Sequence, residues 1–123
     1  MEIDEYRTYC LSKAQTTESF PFDEDVLVFK VAGKMYALAS LKKWEAGEHR
    51  INLKCNPDEA IQLREKYPDE VFPGYHMDKK HWNTVVVNGP NLSLQQIQNF
   101  IDQSYDLVVS KLPKKKREEI QLK

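Results

Sequence analysis

Apolar runs and alternating apolar and polar residues predict β-strands in the first half of the chain. Residues 26 to 31 and 35 to 39 are rich in apolar, β-branched and aromatic residues. Gly33 lies between them, and because glycine readily adopts the positive φ of a tight turn, the two runs predict a β-hairpin. Residues 51 to 55 alternate strictly, which predicts a further strand with one buried face and one solvated face.

Three other segments have the spacing of amphipathic helices. The first follows Asp4, which we expect to be its N-cap. The second begins at Asn56-Pro57, a capping residue followed by a proline suited to the first helical position, and ends before the next proline. The third begins at Ser93, whose capping box with Gln96 predicts a long helix that covers the sheet. Its apolar face consists of Leu94, Ile97, Ile101, Tyr105, Val108 and Leu112.

The remaining segments complete a prediction of the fold. Residues 71 to 75 and 81 to 87 predict a second hairpin, and residues 16 to 23 predict a loop. The sequence therefore predicts an α+β two-layer sandwich, with helices packed on one face of an antiparallel sheet of about five strands in the order α-β-β-β-α-β-β-α. We expect one domain over residues 1–123, with a basic C-terminal end over 113–123 that is open to fraying.

Composition places the chain among soluble globular domains. Of its 123 residues, 41% are hydrophobic and 30% are charged, and no run approaches the roughly 20 apolar residues that span a bilayer. The start, Met1 to Glu5, is acidic where a signal or transit peptide would be basic. We therefore expect a cytoplasmic protein that does not bind membranes. Cys10 and Cys55 belong to no C-x-x-C pair, so we expect two buried thiols.

Charge is nearly balanced overall but unevenly distributed. The formal net charge is −1, yet residues 1–25 carry two basic and seven acidic groups, whereas residues 26–55 carry six basic and two acidic groups. DNA-binding domains usually have a basic excess, because neutralising phosphates supplies most of the affinity that is independent of sequence. The total charge argues against strong promiscuous binding of DNA, but it leaves room for a local basic face.

The segment from His76 to Thr84 is the first candidate site. Lys79 and Lys80 could contact phosphates, Trp82 offers a flat ring for base stacking, and Asn83 could pair with a base edge. The alternative is structural, with Trp82 packed in the core and the two lysines in a solvated turn.

A second basic segment lies near the C-terminus and consists of Lys114, Lys115, Lys116 and Arg117. Such a run is typical of a patch that binds nucleic acid or another anion. The alternative is that these cations merely suit the negative end of the preceding helix.

Signals for catalysis and metal binding are weak. There is no glycine-rich phosphate loop, G-x-S-x-G motif or H-E-x-x-H motif. His76 and His81 have a spacing compatible with metal ligation, but only Asp78 accompanies them. We expect no enzymatic activity, no catalytic residues, no metal and no cofactor.

Several motifs, taken in order, resemble those of the MmcQ/YjbR family over nearly the whole chain. They are Phe20 to Asp23, Val28 to Val31 with Gly33 to Met35, Asn52 to Pro57, Pro73 to Thr84, Ser104 to Val108, and Leu112 to Lys116. The resemblance implies a fold similar to secretion-chaperone-like and frataxin-like (CyaY-like) sandwiches. It also implies DNA binding through a double-wing arrangement of hairpins. The positions that carry over are Lys79, Lys80, His81, Trp82 and Asn83, while the basic C-terminal run is a family-like segment without an assigned role.

DNA is therefore the predicted partner of a monomer or weak homodimer. The alternative from another class is a protein-interaction module of the secretion-chaperone type, in which an exposed sheet face or a dimer surface holds a protein partner. A third hypothesis is a small-ligand pocket lined by Tyr75, His76, Trp82 and Asn83.

Overall fold

The protein, seen in a computed structural model, is described over residues 1–121. Five helices and six strands follow one another along the chain. In chain order they are α1 (Ile3–Leu11), β1 (Thr16–Ser19), β2 (Val26–Val31), β3 (Lys34–Ser40), α2 (Leu41–Glu45), β4 (Arg50–Lys54), α3 (Pro57–Lys66), β5 (Val71–Pro73), β6 (Trp82–Val86), α4 (Leu94–Ser110) and α5 (Lys114–Gln121).

The strands form one antiparallel sheet in the order β1-β2-β3-β4-β6-β5. This arrangement confirms the predicted α+β fold and both predicted hairpins. The strand that we did not predict is β1, which pairs with β2 so that Thr16 lies opposite Val31 and Ser19 lies opposite Val28. We predicted a loop there, and the prediction was wrong because the sequence Thr-Thr-Glu-Ser has no apolar alternation and its pairing depends on a strand further along the chain.

Local capping signals placed α3 and α4 correctly. The Asn56 side chain accepts a hydrogen bond from the Asp58 amide at 3.1 Å. At α4, the Ser93 hydroxyl accepts from the Gln96 amide at 3.1 Å, and the Gln96 side chain accepts from the Ser93 amide at 2.8 Å. The apolar face of α4 begins one turn later than predicted, because Leu94 is 46% exposed.

The other helices differ from the prediction. Helix α1 begins two residues earlier, with Glu2 rather than Asp4 at its N-cap. The short helix α2 was not predicted. Helix α5 forms where we expected an end open to fraying, and Ile120 anchors it by packing in the core. Residues 122 and 123 of the predicted C-terminal end lie outside the described residues.

The sheet is covered by helices on one face only. The main core includes buried residues from four helices, Tyr6 of α1, Trp44 of α2, Ile97 of α4 and Ile120 of α5, all on one side of the sheet. The opposite side, called here the open face, has a small separate cluster of Val28, Leu38 and Trp82. Within residues 1–121 no helix contributes to that cluster, so the exposed side chains around it on the open face can form a binding surface.

Both cysteines are buried, as predicted. Cys10 is fully buried, and burial raises the pKa of its thiol to about 12. Burial also raises the pKa of the Cys55 thiol to about 11. A thiol with such a pKa is almost entirely protonated near neutral pH, so neither cysteine is a plausible nucleophile.

Candidate nucleic-acid interface

Strand β4 presents a row of polar side chains on the open face. Ile51 and Leu53 point into the main core, so the alternating residues Arg50, Asn52 and Lys54 point the other way. In the register with β6, Asn52 lies opposite Thr84, and Lys54 lies opposite Trp82. The row therefore crosses the centre of the sheet with a cation at each end.

Three cations of this region lie against aromatic rings. Measured from the charged group to the ring centroid, the pairs are Lys43 with Tyr75 at 3.9 Å, Arg50 with Phe72 at 5.6 Å, and Lys54 with Trp82 at 6.0 Å. Within residues 1–121, neither Lys43 nor Lys54 has a carboxylate at salt-bridge distance. Their positive charge is therefore available to an anionic partner.

Lys54 also belongs to a group of lysines contributed by three elements. Burial lowers the pKa of Lys54, and the nearby charges of Lys111 and Lys34 lower it further, while Asp78 acts in the opposite direction. The strand register, with Ala37 of β3 opposite Leu53 of β4, places the start of β3 beside the end of β4, and the Lys54 amide donates a hydrogen bond to the Ser104 hydroxyl of α4 at 2.8 Å. We call Lys34, Lys54 and Lys111 the lysine end.

A concavity of about 760 Å³ opens on the same face and is called here the groove. Its lining includes the aromatic residues Phe22, Phe72 and Tyr75 together with the cations Lys43 and Arg50. Phe22 is 62% exposed and Tyr75 is 55% exposed. The groove thus combines flat apolar surface with positive charge.

Tyr75 is held in place through its main chain. Its amide donates a hydrogen bond to the Thr84 hydroxyl at 3.0 Å, and its carbonyl accepts from the Asn52 side chain at 3.4 Å. The Thr84 hydroxyl in turn donates to Asn52, which links the two supports. The paired strands β4 and β6 therefore fix the position of an exposed ring in the loop between β5 and β6.

The two acids that line the groove are engaged locally. Asp23 accepts hydrogen bonds from the amides of Asp25 and Val26 at 2.8 and 2.9 Å. Asp25 accepts from the Ser40 hydroxyl and the Lys42 amide, each at 2.7 Å. Hydrogen bonds, first from Ser40 and then from the Lys42 amide, hold the pKa of Asp25 below its usual value. Both carboxylates thus stabilise the turn before β2 and the start of α2.

The structure separates the predicted pair Trp82 and Asn83. Trp82 is only 7% exposed, packed with Val28 and Leu38 on the open face. Asn83 is 2% exposed and points to the helices, where its side-chain oxygen accepts from Arg64 at 2.7 Å. In this conformation neither side chain is presented to a base, so the packed alternative given for Trp82 describes that residue, and Asn83 is buried as well.

The predicted residues Lys79, Lys80 and His81 lie in and just after the loop that precedes β6. Asp78 organises this loop by accepting from the Lys80 amide at 3.0 Å and by pairing with His81 Nδ1 at 2.8 Å. The Lys79 ammonium donates to the Gly74 carbonyl at 3.1 Å, and both Lys79 and Lys80 are exposed. The Cys55 amide donates a hydrogen bond to the His81 carbonyl at 2.8 Å, so this loop borders the lysine end.

The basic C-terminal run forms the first turn of α5. Lys114, Lys115 and Lys116 are exposed, and Arg117 is partly buried. Lys114 and Lys116 approach Glu118 and Glu119 of the same helix at 4.0 and 3.8 Å. Since Ile120 packs in the main core, the structure places this run apart from the groove.

Sequence reasoning missed Lys43, Arg50 and Phe72. The alternation over residues 50–54 could have identified Arg50, because it continues the outward row of Asn52 and Lys54. Nothing in the pattern indicates Lys43, since its helix was not predicted. Of the four residues of the small-ligand hypothesis, Tyr75 and His76 line the groove, whereas Trp82 and Asn83 are buried and do not line it.

Residues 1–121 have no group of three or more His, Cys, Asp or Glu side chains able to hold a metal ion. The same residues also have no helix that combines the length and hydrophobicity of a membrane span.

Comparison with known proteins decides the family. A family model described as YjbR matches residues 11–107. The chain belongs to the YjbR family. The YjbR protein of Escherichia coli K12 is 33% identical over 117 residues, which cover 95% of each chain. The YbdF protein of Escherichia coli O157:H7 is 36% identical over 101 residues, covering 82% of this chain and 79% of that protein. Both relatives bear the description "uncharacterized".

Solved structures of the same kind agree with the fold. The Deinococcus radiodurans protein DR2400 superimposes with a TM-score of 0.89 at 34% identity, covering 98% of this chain and 88% of its own. A Pseudomonas syringae protein gives a TM-score of 0.71 at 30% identity, covering 87% of this chain and 98% of its own. The family resemblance and the fold predicted from sequence are therefore confirmed.

Proposed function

We propose that this protein binds DNA, without catalysis, through the open face of its sheet. The observation that carries the proposal is the set of three cation–aromatic contacts made by Lys43, Arg50 and Lys54 at the open face. Cations supply attraction to phosphates, and neighbouring rings supply surface for sugars and bases.

Charge segregation makes this proposal compatible with the net charge of −1. Four of the seven acids of residues 1–25 lie at the start of α1 or in β1, at the β1 edge of the sheet, whereas Asp23 and Asp25 line the groove and accept hydrogen bonds there. The cations of the open face come from α2 and β4, and the lysine end with Lys79 and Lys80 extends them. At physiological ionic strength, charges are screened beyond about 8 Å, so a local basic surface can attract DNA despite distant acids.

Paired charge reversals test where DNA binds. The variant Lys54→Glu with Lys80→Glu alters the open face and its bordering loop, and Lys114→Glu with Lys115→Glu makes the same change of net charge on α5. We expect the first to lower affinity for a fluorescent DNA of about 20 nucleotides at least about tenfold at low salt, measured by fluorescence anisotropy.

The α5 variant is both the matched control and the test of the predicted role of the basic run. We expect it to change affinity less than the open-face variant. Equal losses in the two variants would show that affinity follows net charge, and the proposed location would be wrong. Unchanged affinity in the open-face variant would also contradict the proposal.

Exposed phenylalanines favour a second candidate, a protein-interaction module. Phe22 is 62% exposed at the groove and Phe20 is 46% exposed close by in sequence, and contiguous exposed apolar surface often marks an interface between proteins. Sedimentation of the wild type and of Phe22→Ser over a range of concentrations tests it. Self-association that the variant weakens would support this candidate, and a monomer at every concentration would count against a dimer surface there.

A further inference from the structure

We infer that the groove binds an unpaired nucleotide of single-stranded DNA, with the Tyr75 ring as the stacking platform and Lys43 and Arg50 next to the strand's phosphates. This inference rests on the proposed function and goes further, because it assigns a form of DNA and a position for a base.

The size and location of the groove suit a nucleotide. A volume of about 760 Å³ falls within the range of pockets that hold small organic molecules. The groove opens on the flat side of the sheet, between the loop that carries Tyr75 and the segment that carries Phe22. A flat ring can therefore enter it face-on, whereas an added peptide strand would need an unpaired sheet edge.

The cations that line the groove are less engaged by neighbouring groups than its carboxylates are. Lys43 has no salt-bridge partner within residues 1–121, and the contact of Arg50 with Glu48 is long, at 4.0 Å. The acids of the groove, Asp23 and Asp25, are already satisfied by amides and by Ser40. The formal charges of the two cations and the two carboxylates balance, but the charged groups still free to form new hydrogen bonds are the donors of Lys43 and Arg50, which suit a phosphate.

Tyr75 has the features of a prepared binding residue. Hydrogen bonds to its amide and its carbonyl fix the main chain of Tyr75, yet the residue is more than half exposed. The next residue, His76, has φ of 57°, a left-handed conformation uncommon for a residue other than glycine, and its ring centroid lies 4.0 Å from that of Tyr75. Local backbone strain beside an exposed, fixed aromatic ring is typical of a binding site.

Base pairing should then oppose binding. In a duplex each base is stacked and paired, and moving one into the groove costs several kcal/mol of unstacking and unpairing. A single strand pays little of that cost, although its charge density is lower. A preference for single strands would therefore come from stacking and not from phosphate attraction alone.

Fluorescence anisotropy with one labelled strand of about 20 nucleotides, free and annealed to its complement, tests the inference. We expect the wild type to bind the single strand at least about tenfold more tightly than the duplex. Tyr75→Ala should lower affinity for the single strand at least about fivefold and reduce the preference, while Tyr75→Phe should keep both. Phe20→Ala removes an exposed ring that does not line the groove and is the matched control.

The possible failures are distinguishable. Equal affinity for the two DNA forms would overturn the inference, and so would an unaltered affinity in a folded Tyr75→Ala variant. In either case, a loss of DNA affinity in Lys54→Glu with Lys80→Glu would still support the proposed function. Absence of binding to either DNA form at low salt would overturn both.

Discussion

The ammonium group of Lys43 lies 3.9 Å from the centre of the Tyr75 ring and joins the short helix α2 to the loop between β5 and β6. The contact places a positive charge beside an exposed aromatic ring across 32 residues of chain. Cation–π pairs of this kind contribute about 0.5–1 kcal/mol when exposed. For binding, the contact matters more than this energy suggests, because it places a positive charge for a phosphate next to a flat ring for a base.

Replacing Lys43 with methionine tests that consequence. Lys43→Met keeps most of the aliphatic stem but removes the charge, so we expect affinity for single-stranded DNA to fall and the slope of log K against log salt to become shallower by about 0.7. Lys42→Met is the matched control, because it removes the neighbouring charge and keeps the Lys42 amide that donates a hydrogen bond to Asp25. A salt titration in which both variants have the same slope as the wild type would exclude Lys43 from phosphate binding.

Among the four glycines, Gly89 is the one at which an added side chain would lie closest to a neighbouring atom. A Cβ atom at this position would lie 1.9 Å from Oε1 of Glu70, the oxygen that accepts a hydrogen bond from the Asn91 amide at 2.9 Å. We expect Gly89→Ala to lower the free energy of unfolding by about 2 kcal/mol or more, measured by urea denaturation.

A double-mutant cycle identifies the cause of that loss. Glu70→Ala removes the obstructing carboxylate, so in this background Gly89→Ala should cost less than about 1 kcal/mol. If Gly89→Ala were equally costly with and without the Glu70 side chain, the close contact would not be its cause.

The lowered pKa of Asp25 predicts that the free energy of unfolding depends on pH. Hydrogen bonds from Ser40 and from the Lys42 amide hold its pKa below the usual value, so the ionised form favours folding. That contribution is complete above the unfolded-state pKa of about 4 and disappears as the pH falls through the lower folded-state pKa.

We therefore expect Asp25→Asn to lower stability at neutral pH and to differ less from the wild type as the pH falls toward 3, in urea denaturation across that range. Ser40→Ala removes the hydrogen bond that lowers the pKa of Asp25 most, so it should reproduce part of the loss of stability at neutral pH. A wild-type advantage that stays constant from neutral to acidic pH would contradict this role of Asp25.

Sequence reasoning recovered the elements whose signals are local. Asn56-Pro57 and the Ser93–Gln96 box fix helix starts through contacts within four residues, and Gly33 allows the tight turn of the first hairpin. Strand β1 escaped prediction because its polar residues become a strand only by pairing with β2, and α2 is too short to have a periodic pattern. The fold class was therefore predictable, whereas the number of strands and helices was not.

The candidate site was less predictable than the fold. The outward position of Lys54 followed from alternation, but Trp82 and Asn83 proved to be packed on opposite sides of the sheet. The Lys43–Tyr75 contact depends on how α2 and the loop before β6 meet in three dimensions, and no spacing in the sequence encodes it. Residue type suggested a nucleic-acid surface, and only the fold indicated which side chains remain exposed to form it.

The salt dependence of DNA binding tests the central claim most directly. We predict that the logarithm of the wild-type binding constant for a single strand falls linearly with the logarithm of salt concentration, with a slope of about −2 from Lys43, Arg50 and Lys54. The slope should become shallower in Lys54→Glu with Lys80→Glu. Absence of binding at about 50 mM salt, or the same slope in wild type and variant, would contradict the assignment of the open face as a DNA-binding surface.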